Sequence, residues 1–400
     1  DSVVLDPGQM QITELDLTLH FFIYLQTATH SKIRPEQMQW FIPRRKINEQ
    51  AMLDSFISSG KSSFKPMNDA FYHLQDKMTH WAGIAKSGGW PAIQMKKGEL
   101  KPGVMDTLIL QVKKRLVASG DYSPSDTGRL YTKELETAVK RIQRSYGIRE
   151  SGIINMALVN KLNVKTADRL KQMKVNLERM RWMPLVGDGI YVNIPEFRLH
   201  FYHGGEEVLA MNIVCGKAAT RTVIFSDQLE YIVFSPYWNV PPSIVRNELL
   251  PLLSSSYLRR HNMEITGYAG GLPVVRQKPG PSNALGLVKF LFPNRYNIYL
   301  HDTPTKQLFE SEKRAFSHGC IRIQKPFEMA RFLLRNEPAW TVEAITAAMH
   351  RTSEKWVPLK EKVPVYVVYF TSWVDEDGLV HFRDDVYGHD KRMSAGLFTK

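Results

Sequence analysis

Cysteine is scarce in this sequence, and that scarcity limits the classes of protein it can encode. Only two cysteines, Cys215 and Cys320, occur among 400 residues. Two thiols exclude a small scaffold held by several disulfides and a zinc site built from several cysteines. In an exported protein with so few cysteines, a free thiol would be conspicuous.

Long apolar runs and targeting segments are also missing. No stretch approaches the roughly 20 apolar residues that cross a bilayer, and the most apolar N-terminal stretch, residues 15–25, is interrupted by Asp16, Thr18 and His20. The basic region and the cleavage site of a signal peptide are absent too. Because the sequence starts at Asp1 without a methionine, we expect a mature or trimmed product whose export signal or membrane anchor lies outside it.

The composition is that of a globular protein with an excess of positive charge. Hydrophobic residues make up 43% and charged residues 23% of 400 residues, so we expect two or three domains. The formal net charge of +13 comes from scattered lysines and arginines, with no nucleic-acid-binding motif. We expect no nucleic-acid partner. Solvated helix faces and an anionic polymer such as a cell wall are the two explanations that the charge leaves open.

The first quarter of the chain is expected to be a helical scaffold. The stretch Asp69–Ala85 spaces its apolar side chains at helical intervals, and Gly88-Gly89 ends that pattern. A second strong helix is predicted at Thr166–Trp182 from its stripe of Leu and Met. We therefore predict a scaffold domain at residues 1–104, completed by residues 164–183.

A weak internal repeat lies between these two parts. The segments DTLILQVKKRLVASGDY and TKELETAVKRIQRSYGI each predict an amphipathic helix ended by a glycine, and a third short helix is expected at Met156–Leu162. The arrangement resembles the three-helix peptidoglycan-binding module, with Ile142 and Gln143 in its second helix. We predict this fold at residues 105–163; a spacer bundle without a binding role is the alternative.

After Pro184 the sequence pattern changes from helical to alternating. Segments such as IYVNI, FRLHFYH, EVLAMNIVCG, YNIYLHD and VPVYVVYFTSWV are rich in β-branched and aromatic residues and predict strands. Helices are predicted among them at Ser243–Leu253, Pro326–Arg335 and Val342–Met349. The expected fold is therefore α+β and multidomain, with all-α N-terminal regions followed by a β-rich catalytic domain at residues 184–400.

One segment of the β-rich half carries a candidate catalytic site. A thiol, whose unperturbed pKa is about 8.5, attacks acyl groups as the thiolate, so it needs a neighbouring base and N–H groups for the oxyanion. His301 ends one predicted strand and Cys320 starts another 19 positions later, so a loop can bring these strand ends together. Gly319 allows the chain to turn, and Arg322 shares a strand face with Cys320, where it can bind a carboxylate.

These residues resemble the signature of the YkuD-type L,D-transpeptidases. His301, fifteen further residues and then Ser317-His318-Gly319-Cys320-Ile321-Arg322 match the family pattern, and PYWNVPPSI, PGPSNALG and IYLHDTP are similar to its large YcbB-type subgroup. The resemblance implies that Cys320 is the nucleophile and His301 its base, oriented by a backbone carbonyl near Tyr299 or Asp302. It also implies that the N–H groups of Gly319 and Cys320 hold the oxyanion.

The resemblance also implies a reaction. Cys320 would attack a tetrapeptide stem of peptidoglycan, release D-alanine and form a thioester, which the amine of a second stem would convert to a 3→3 cross-link. We expect no cofactor or metal, covalent inhibition by carbapenem-type β-lactams, and a place in the periplasm of a Gram-negative bacterium. Substrate contacts are expected from Tyr299, Ser317, His318 and Arg322.

An insert at about residues 236–282 separates two strands and, in the subgroup, folds as a capping lid. Trp238 and Asn239 are expected to line the donor groove, although Trp238 can equally anchor the lid. The insert is short around Gly267–Pro273, which indicates a reduced cap or a missing loop.

Residues near Cys320 allow alternative roles. His318 lies two positions from Cys320 on one strand, about 6.5 Å along it, so we assign the base to His301 and pocket shaping or substrate binding to His318. A zinc site from His301, His318 and Cys320 lacks an accompanying ligand motif. Cys215 is interpreted as an inert core thiol.

Three other functions remain open from the sequence. With water as acceptor, the same site gives an L,D-carboxypeptidase or endopeptidase, and with a lipoprotein as acceptor it gives an attachment enzyme. A non-catalytic scaffold that binds the cell wall is the alternative outside the enzymes. The intact His301, Gly319 and Cys320 argue against that scaffold.

Overall fold

The structure is a computed structural model that describes residues 6–44, 46–59, 64–123, 125–184 and 187–398. The chain divides into two compact units: Asp1–Val186 with Phe370–Lys400, and Gly187–Tyr369. Within the described ranges, no helix combines the length and the hydropathy that a membrane span requires.

The first unit is mainly helical, as the sequence predicts. Its N-terminal elements are α1 (Pro7–Thr29), the short strand β1 (Trp40–Phe41), α2 (Glu49–Ser59) and α3 (Asp69–Lys86). Asn68 caps α3 by accepting a hydrogen bond from the Phe71 N–H at 3.0 Å, which satisfies one of the free donors of the first turn. Phe71, Leu74 and Trp81 on α3 are buried in the core of the unit.

Three capped helices form the module expected at residues 105–163. The elements are β2 (Glu99–Leu100), α4 (Thr107–Ala118), α5 (Lys133–Ser145), β3 (Ile154–Asn155) and α6 (Met156–Leu162). The side chains of Asp106, Thr132 and Asn155 cap the three helices. After α4 and α5 the chain turns at Gly120 and Gly147, whose φ angles of 78° and 65° favour glycine. Helix α7 (Thr166–Trp182) then packs against α3 and completes the scaffold.

The second unit is built around a sheet that closes on itself. Its strands are β4 (Gly189–Asn193), β5 (Arg198–His203), β6 (Glu206–Gly216), β7 (Ile224–Phe234), β8 (Trp238–Asn239), β9 (Met263–Ala269), β10 (Leu272–Gln277), β11 (Val288–Leu291), β12 (Leu300–His301), β13 (Ala315–Ser317), β14 (Ile321–Ile323) and β15 (Lys355–Val368). Eight of them pair in the order β7-β11-β12-β14-β6-β5-β4-β15, and β15 also pairs with β7. Alternation along the strands buries one set of side chains completely: Val192, Leu199, Ile213, Ile232, Phe290, Leu300, Ile321 and Val367.

The insert forms a small cap with its own core. Its strands pair in the order β8-β10-β9, and α8 (Pro242–Ile244) runs into a π-helical turn at Val245–Leu249 before α9 (Ser255–Arg260). The single helix expected at Ser243–Leu253 is thus interrupted, because Pro251 lacks the N–H that would continue it. Strands β9 and β10 are joined by a tight turn over Gly270-Gly271, both with positive φ, and the two explanations for the short insert stay predictions. Two helices, α10 (Pro326–Leu333) and α11 (Val342–Met349), follow β14.

The last segment of the chain belongs to the first unit, which corrects the expected boundary. We expected the catalytic domain to occupy residues 184–400, whereas the second unit ends at Tyr369. The final elements are β16 (Ser372–Val374), β17 (Val380–Phe382) and α12 (His389–Phe398). The ring of Phe382 stacks on Trp81 with centroids 5.2 Å apart, and Arg179 donates to Asp390 at 2.6 Å. These contacts join residues far apart in sequence, so strand patterns alone do not reveal them.

Candidate active site

The candidate residues meet where two parallel strands lie side by side. In the pairing of β12 with β14, Leu300 is opposite Ile321 and His301 is opposite Arg322. Because side chains alternate along a strand, Tyr299 and His301 share one face of the sheet with Cys320 and Arg322. The Tyr299 and His301 rings are in edge contact, with centroids 5.7 Å apart. The proximity expected from the 19-residue spacing is therefore present at the level of the strands.

The turn before Cys320 is held by hydroxyl groups. Ser317, which is 3% exposed, donates from Oγ to the Cys320 carbonyl at 2.6 Å. Thr220 donates to the Ser317 carbonyl at 3.0 Å, and Thr222 donates to the Gly319 carbonyl at 2.8 Å. Sequence reasoning missed both threonines, because they follow β6 and nothing in the local pattern links them to the cysteine turn. Ser317 acts here on the backbone of the turn, and its expected contact with substrate stays a prediction.

The oxyanion donors differ from the expectation. The Gly319 N–H donates to Ser317 Oγ at 3.1 Å, so in this structure it is not directed to an incoming carbonyl. Gly319 has a φ of 124°, a backbone conformation that residues other than glycine rarely adopt. The glycine is thus required by the turn, and a role of the Cys320 N–H in holding the oxyanion stays a prediction.

His301 is buried and has a defined tautomer. Its side chain is 4% exposed, and Nδ1 lies 2.5 Å from the Asp302 carbonyl oxygen. A carbonyl only accepts hydrogen bonds, so Nδ1 carries the proton and Nε2 keeps its lone pair. Burial, and then the nearby Arg322 charge, lower the pKa of His301 to about 4. The imidazole is therefore neutral near pH 7 and can accept a proton at Nε2. The expected orientation by a backbone carbonyl is observed, at Asp302.

The carboxylate of Asp302 fixes the carbonyl that orients His301. Its two oxygens accept hydrogen bonds from the Leu287 N–H at 2.9 Å and the Thr303 N–H at 2.7 Å, and Lys306 forms an ion pair with it. Gly286 comes so close that a Cβ atom there would lie 2.4 Å from the Asp302 carboxyl carbon, at a φ of 63°. The PGPSNALG segment noted in the sequence therefore contributes to the site through this close approach.

The Cys320 thiol is free and protonated. It forms no disulfide, and Sγ donates to the Asn297 carbonyl oxygen at 3.6 Å rather than to the His301 imidazole. Burial raises the pKa of Cys320, and the neighbouring Tyr299 and Arg322 oppose this rise. Asn297 was not predicted; its φ of 53° is the unusual backbone feature that marks it. To transfer its proton to His301, the thiol must give up this hydrogen bond to Asn297.

Arg322 and Tyr299 flank the sulfur. The Nε atom of Arg322 is buried and has no hydrogen-bond partner among the described residues, and burial lowers the pKa of this guanidinium. Burial, together with the adjacent Cys320, raises the pKa of Tyr299, so its hydroxyl stays protonated. A guanidinium with an unsatisfied Nε–H, on the face that carries the thiol, suits a carboxylate ligand.

His318 points toward the cap instead of the sulfur. Its Nε2 lies 2.8 Å from Glu248 Oε1 in the π-helical turn of the cap, and both side chains are partly exposed. Trp238 packs within the cap core beside Val240 and Val275, which agrees with its alternative role as an anchor. Asn239 is exposed on β8, so a contact of either residue with substrate stays a prediction.

Two further sequence interpretations concern metals and the second thiol. Among the residues described, no three His, Cys, Asp or Glu side chains are grouped as a metal site. Cys215 is completely buried on β6 and is not joined to Cys320, which confirms that it is a core thiol.

Two segments of the chain match known protein families. Residues 187–365 match YkuD, described as "L,D-transpeptidase catalytic domain", and residues 106–162 match "Putative peptidoglycan binding domain". The first range covers nearly all of the second unit, and the second coincides with the three-helix module.

Individual proteins are also similar to this chain. It is 31% identical over 248 residues to a Haemophilus influenzae protein described as "Putative L,D-transpeptidase"; the match covers 58% of this chain and 50% of that protein, so the chain spans about half its length. An L,D-transpeptidase structure from Stackebrandtia nassauensis has a TM-score of 0.27 at 14% identity, covering 70% of this chain and 96% of that one. One from Xylanimonas cellulosilytica has a TM-score of 0.20 at 12% identity, covering 68% and 99%.

Proposed function

We propose that this protein is an enzyme that forms 3→3 cross-links in peptidoglycan. Its residues 187–365 match the L,D-transpeptidase catalytic domain of the YkuD family, and residues 106–162 match a peptidoglycan-binding module. The observation that carries the proposal is the shared face of β12 and β14, where the neutral His301 imidazole lies beside the strand end that bears Cys320. Its substrates are two tetrapeptide stems, one as donor and one as acceptor.

In the first half-reaction, Cys320 becomes acylated. The thiol leaves the Asn297 carbonyl, and His301 Nε2 accepts its proton as Sγ attacks the carbonyl carbon that links diaminopimelate to the terminal D-alanine. The Cys320 N–H donates to the developing oxyanion. The C–N bond then breaks, the imidazolium returns its proton to the departing amine, and a thioester remains on Cys320.

In the second half-reaction, an amine replaces the thiolate. The side-chain amine of a second stem attacks the thioester carbon, and His301 accepts the proton that this amine loses. The C–S bond breaks, the thiolate takes the proton from His301, and the new amide joins the two stems. Both half-reactions need an imidazole that is neutral in the resting enzyme, which the low pKa of His301 provides.

Purified tetrapeptide fragments test this proposal. We expect the enzyme to release D-alanine and to yield a cross-linked dimer by mass, and Cys320→Ala to yield neither. If tripeptide forms without dimer, the protein is an L,D-carboxypeptidase and not a transpeptidase. If the wild type yields no product but still binds peptidoglycan, the non-catalytic wall-binding scaffold is the remaining function.

Covalent labelling tests the nucleophile separately. We propose that a carbapenem acylates Cys320, since its strained amide presents the same carbonyl chemistry to the thiol. Intact-mass spectrometry should show one adduct on the wild type and on Cys215→Ala, and none on Cys320→Ala. Equal labelling of Cys320→Ala would remove Cys320 from the mechanism.

The substrate also implies a location. Because peptidoglycan lies outside the cytoplasmic membrane, we propose that the protein acts in the periplasm of a Gram-negative bacterium. Fractionation of cells that express the full-length protein tests this, and recovery with cytoplasmic proteins would contradict it.

A further inference from the structure

We propose that Lys289, covered by Trp356, is an anion subsite that binds the carboxylate of the leaving D-amino acid during acylation. The proposal rests on the function above and adds a residue that the catalytic motif does not contain. Lys289 lies on β11, twelve positions before His301.

Strand pairing puts Lys289 in the same row as the catalytic base. On β11, Lys289 is directly opposite His301 of β12 and also opposite Val233 of β7, and Val233 is opposite Trp356 of β15. Directly paired residues project from the same face, with Cβ atoms about 4.5–5.5 Å apart. Since His301 is itself opposite Arg322, the sheet presents Trp356, Lys289, His301 and Arg322 in one continuous row.

The ammonium group of Lys289 has no ion-pair partner among the described residues. It is half-buried, and Nζ lies 5.4 Å from the centroid of the half-exposed Trp356 ring. In the described part of the chain, no carboxylate forms an ion pair with it. Burial lowers the pKa of Lys289, and the negative charge of Glu354 opposes this. A partly desolvated cation is costly unless an anion pairs with it, so the site is suited to an incoming carboxylate.

The two cations of the row, Arg322 and Lys289, lie on opposite sides of His301. We assign the acyl part of the substrate to the side of Arg322 and the leaving amino acid to the side of Lys289. Arg322 interacts with Cys320 and therefore lies on the side of the acyl group. The leaving amine must face His301 to receive its proton. In an amino acid the carboxylate is attached to the carbon next to that nitrogen, so it extends past His301 to the next strand. Lys289 is the cation there.

A substrate that lacks this carboxylate distinguishes the loss of a contact with Lys289 from a general loss of enzyme activity. The test compares a tetrapeptide ending in D-alanine with the same peptide ending in D-alanine amide, for the wild type and for Lys289→Met. For the acid substrate, Lys289→Met should lower kcat/KM for acylation by about 10- to 100-fold, the loss expected for a hydrogen bond between charged groups. For the amide substrate, the two enzymes should differ by less than about 3-fold. Lys289→Arg should retain most activity on the acid substrate.

Lys362→Met is the matched control, because it removes an exposed lysine of β15 that pairs with Glu230. It should leave turnover of both substrates unchanged. Equal slowing of both substrates by Lys289→Met, or no slowing of either, would overturn the subsite while the wild type still releases D-alanine. If the wild type releases no D-alanine, the proposed function fails and the subsite with it. Equal thermal midpoints and equal carbapenem labelling would exclude misfolding of Lys289→Met.

Discussion

The Nδ1 atom of His301 lies 2.5 Å from the carbonyl oxygen of Asp302, its neighbour in the chain. This contact assigns the imidazole proton to Nδ1 and leaves Nε2 as the basic atom on the face that carries Cys320. The carboxylate of Asp302 is itself held by three partners, so the carbonyl has little freedom to move. A backbone atom thus does the work of orientation that a third side chain does in many triads.

The two histidines near Cys320 should differ strongly in their effect on acylation. His301→Gln removes the basic nitrogen, so we expect kcat/KM to fall by about 10²- to 10⁴-fold. His318→Gln removes only a partly exposed contact with Glu248, so we expect a change below about 10-fold. Release of D-alanine from a tetrapeptide measures both. A larger loss for His318→Gln than for His301→Gln would make His318 the base.

The pH dependence should reflect the buried neutral imidazole. Because the pKa of His301 is lowered to about 4, the base stays unprotonated well below its ordinary value of 6.5, and the acid limb of kcat/KM should lie near pH 4 to 5. An acid limb centred near 6.5 would mean that the histidine is not buried as described.

The same pKa links stability to pH. Between pH 6.5 and 4 the unfolded chain binds a proton at His301 that the folded protein does not, so stability falls as the pH is lowered. This site should remove about 2 kcal/mol of unfolding free energy between pH 7 and pH 5. Urea titrations at both pH values should show a smaller difference for His301→Gln, and an identical difference would contradict the assignment.

Asp302 should behave as a positioning residue. In Asp302→Asn one oxygen becomes an NH₂ group, which cannot accept the Leu287 or Thr303 N–H, and the unpaired donor should cost about 1–3 kcal/mol. We expect kcat to fall more than KM rises, because the imidazole loses its fixed orientation. Lys306→Met, which removes a half-exposed ion-pair partner, is the control and should cost less than about 1 kcal/mol. Equal effects of the two variants would refute this role.

The C-terminal segment should be integral to the first unit. Asp390→Ala leaves the buried Arg179 guanidinium without its ion pair, so urea unfolding should show a loss of about 3–5 kcal/mol. The exposed pair between Lys171 and Asp168, on the same helix as Arg179, gives the control: Lys171→Met should cost less than about 0.5 kcal/mol. Wild-type stability of Asp390→Ala would mean that the segment does not secure this unit.

Part of this architecture could be read directly from local sequence. The change of period after Pro184 separates helical from β-rich regions, and Gly120 and Gly147 mark the turns after two helices because φ is positive there. The spacing of His301 and Cys320 predicts that their strands meet, and β12 and β14 do pair. These features depend on residues within one or two elements, which is the range over which periodicity, capping and turn chemistry act.

The sequence by itself determined the fold class and the helical module, and it predicted Cys320 as the nucleophile and His301 as its base. Tertiary structure alone decided that the Gly319 N–H donates to Ser317, that the Cys320 thiol donates a hydrogen bond to the Asn297 carbonyl, that Lys289 lies opposite His301, and that residues 370–400 return to the first unit. The alternation of apolar and polar residues along a strand predicts which of its side chains share a face. It does not predict which strand lies beside that strand, or in which register the two pair. Those choices are made by packing between residues far apart in the chain.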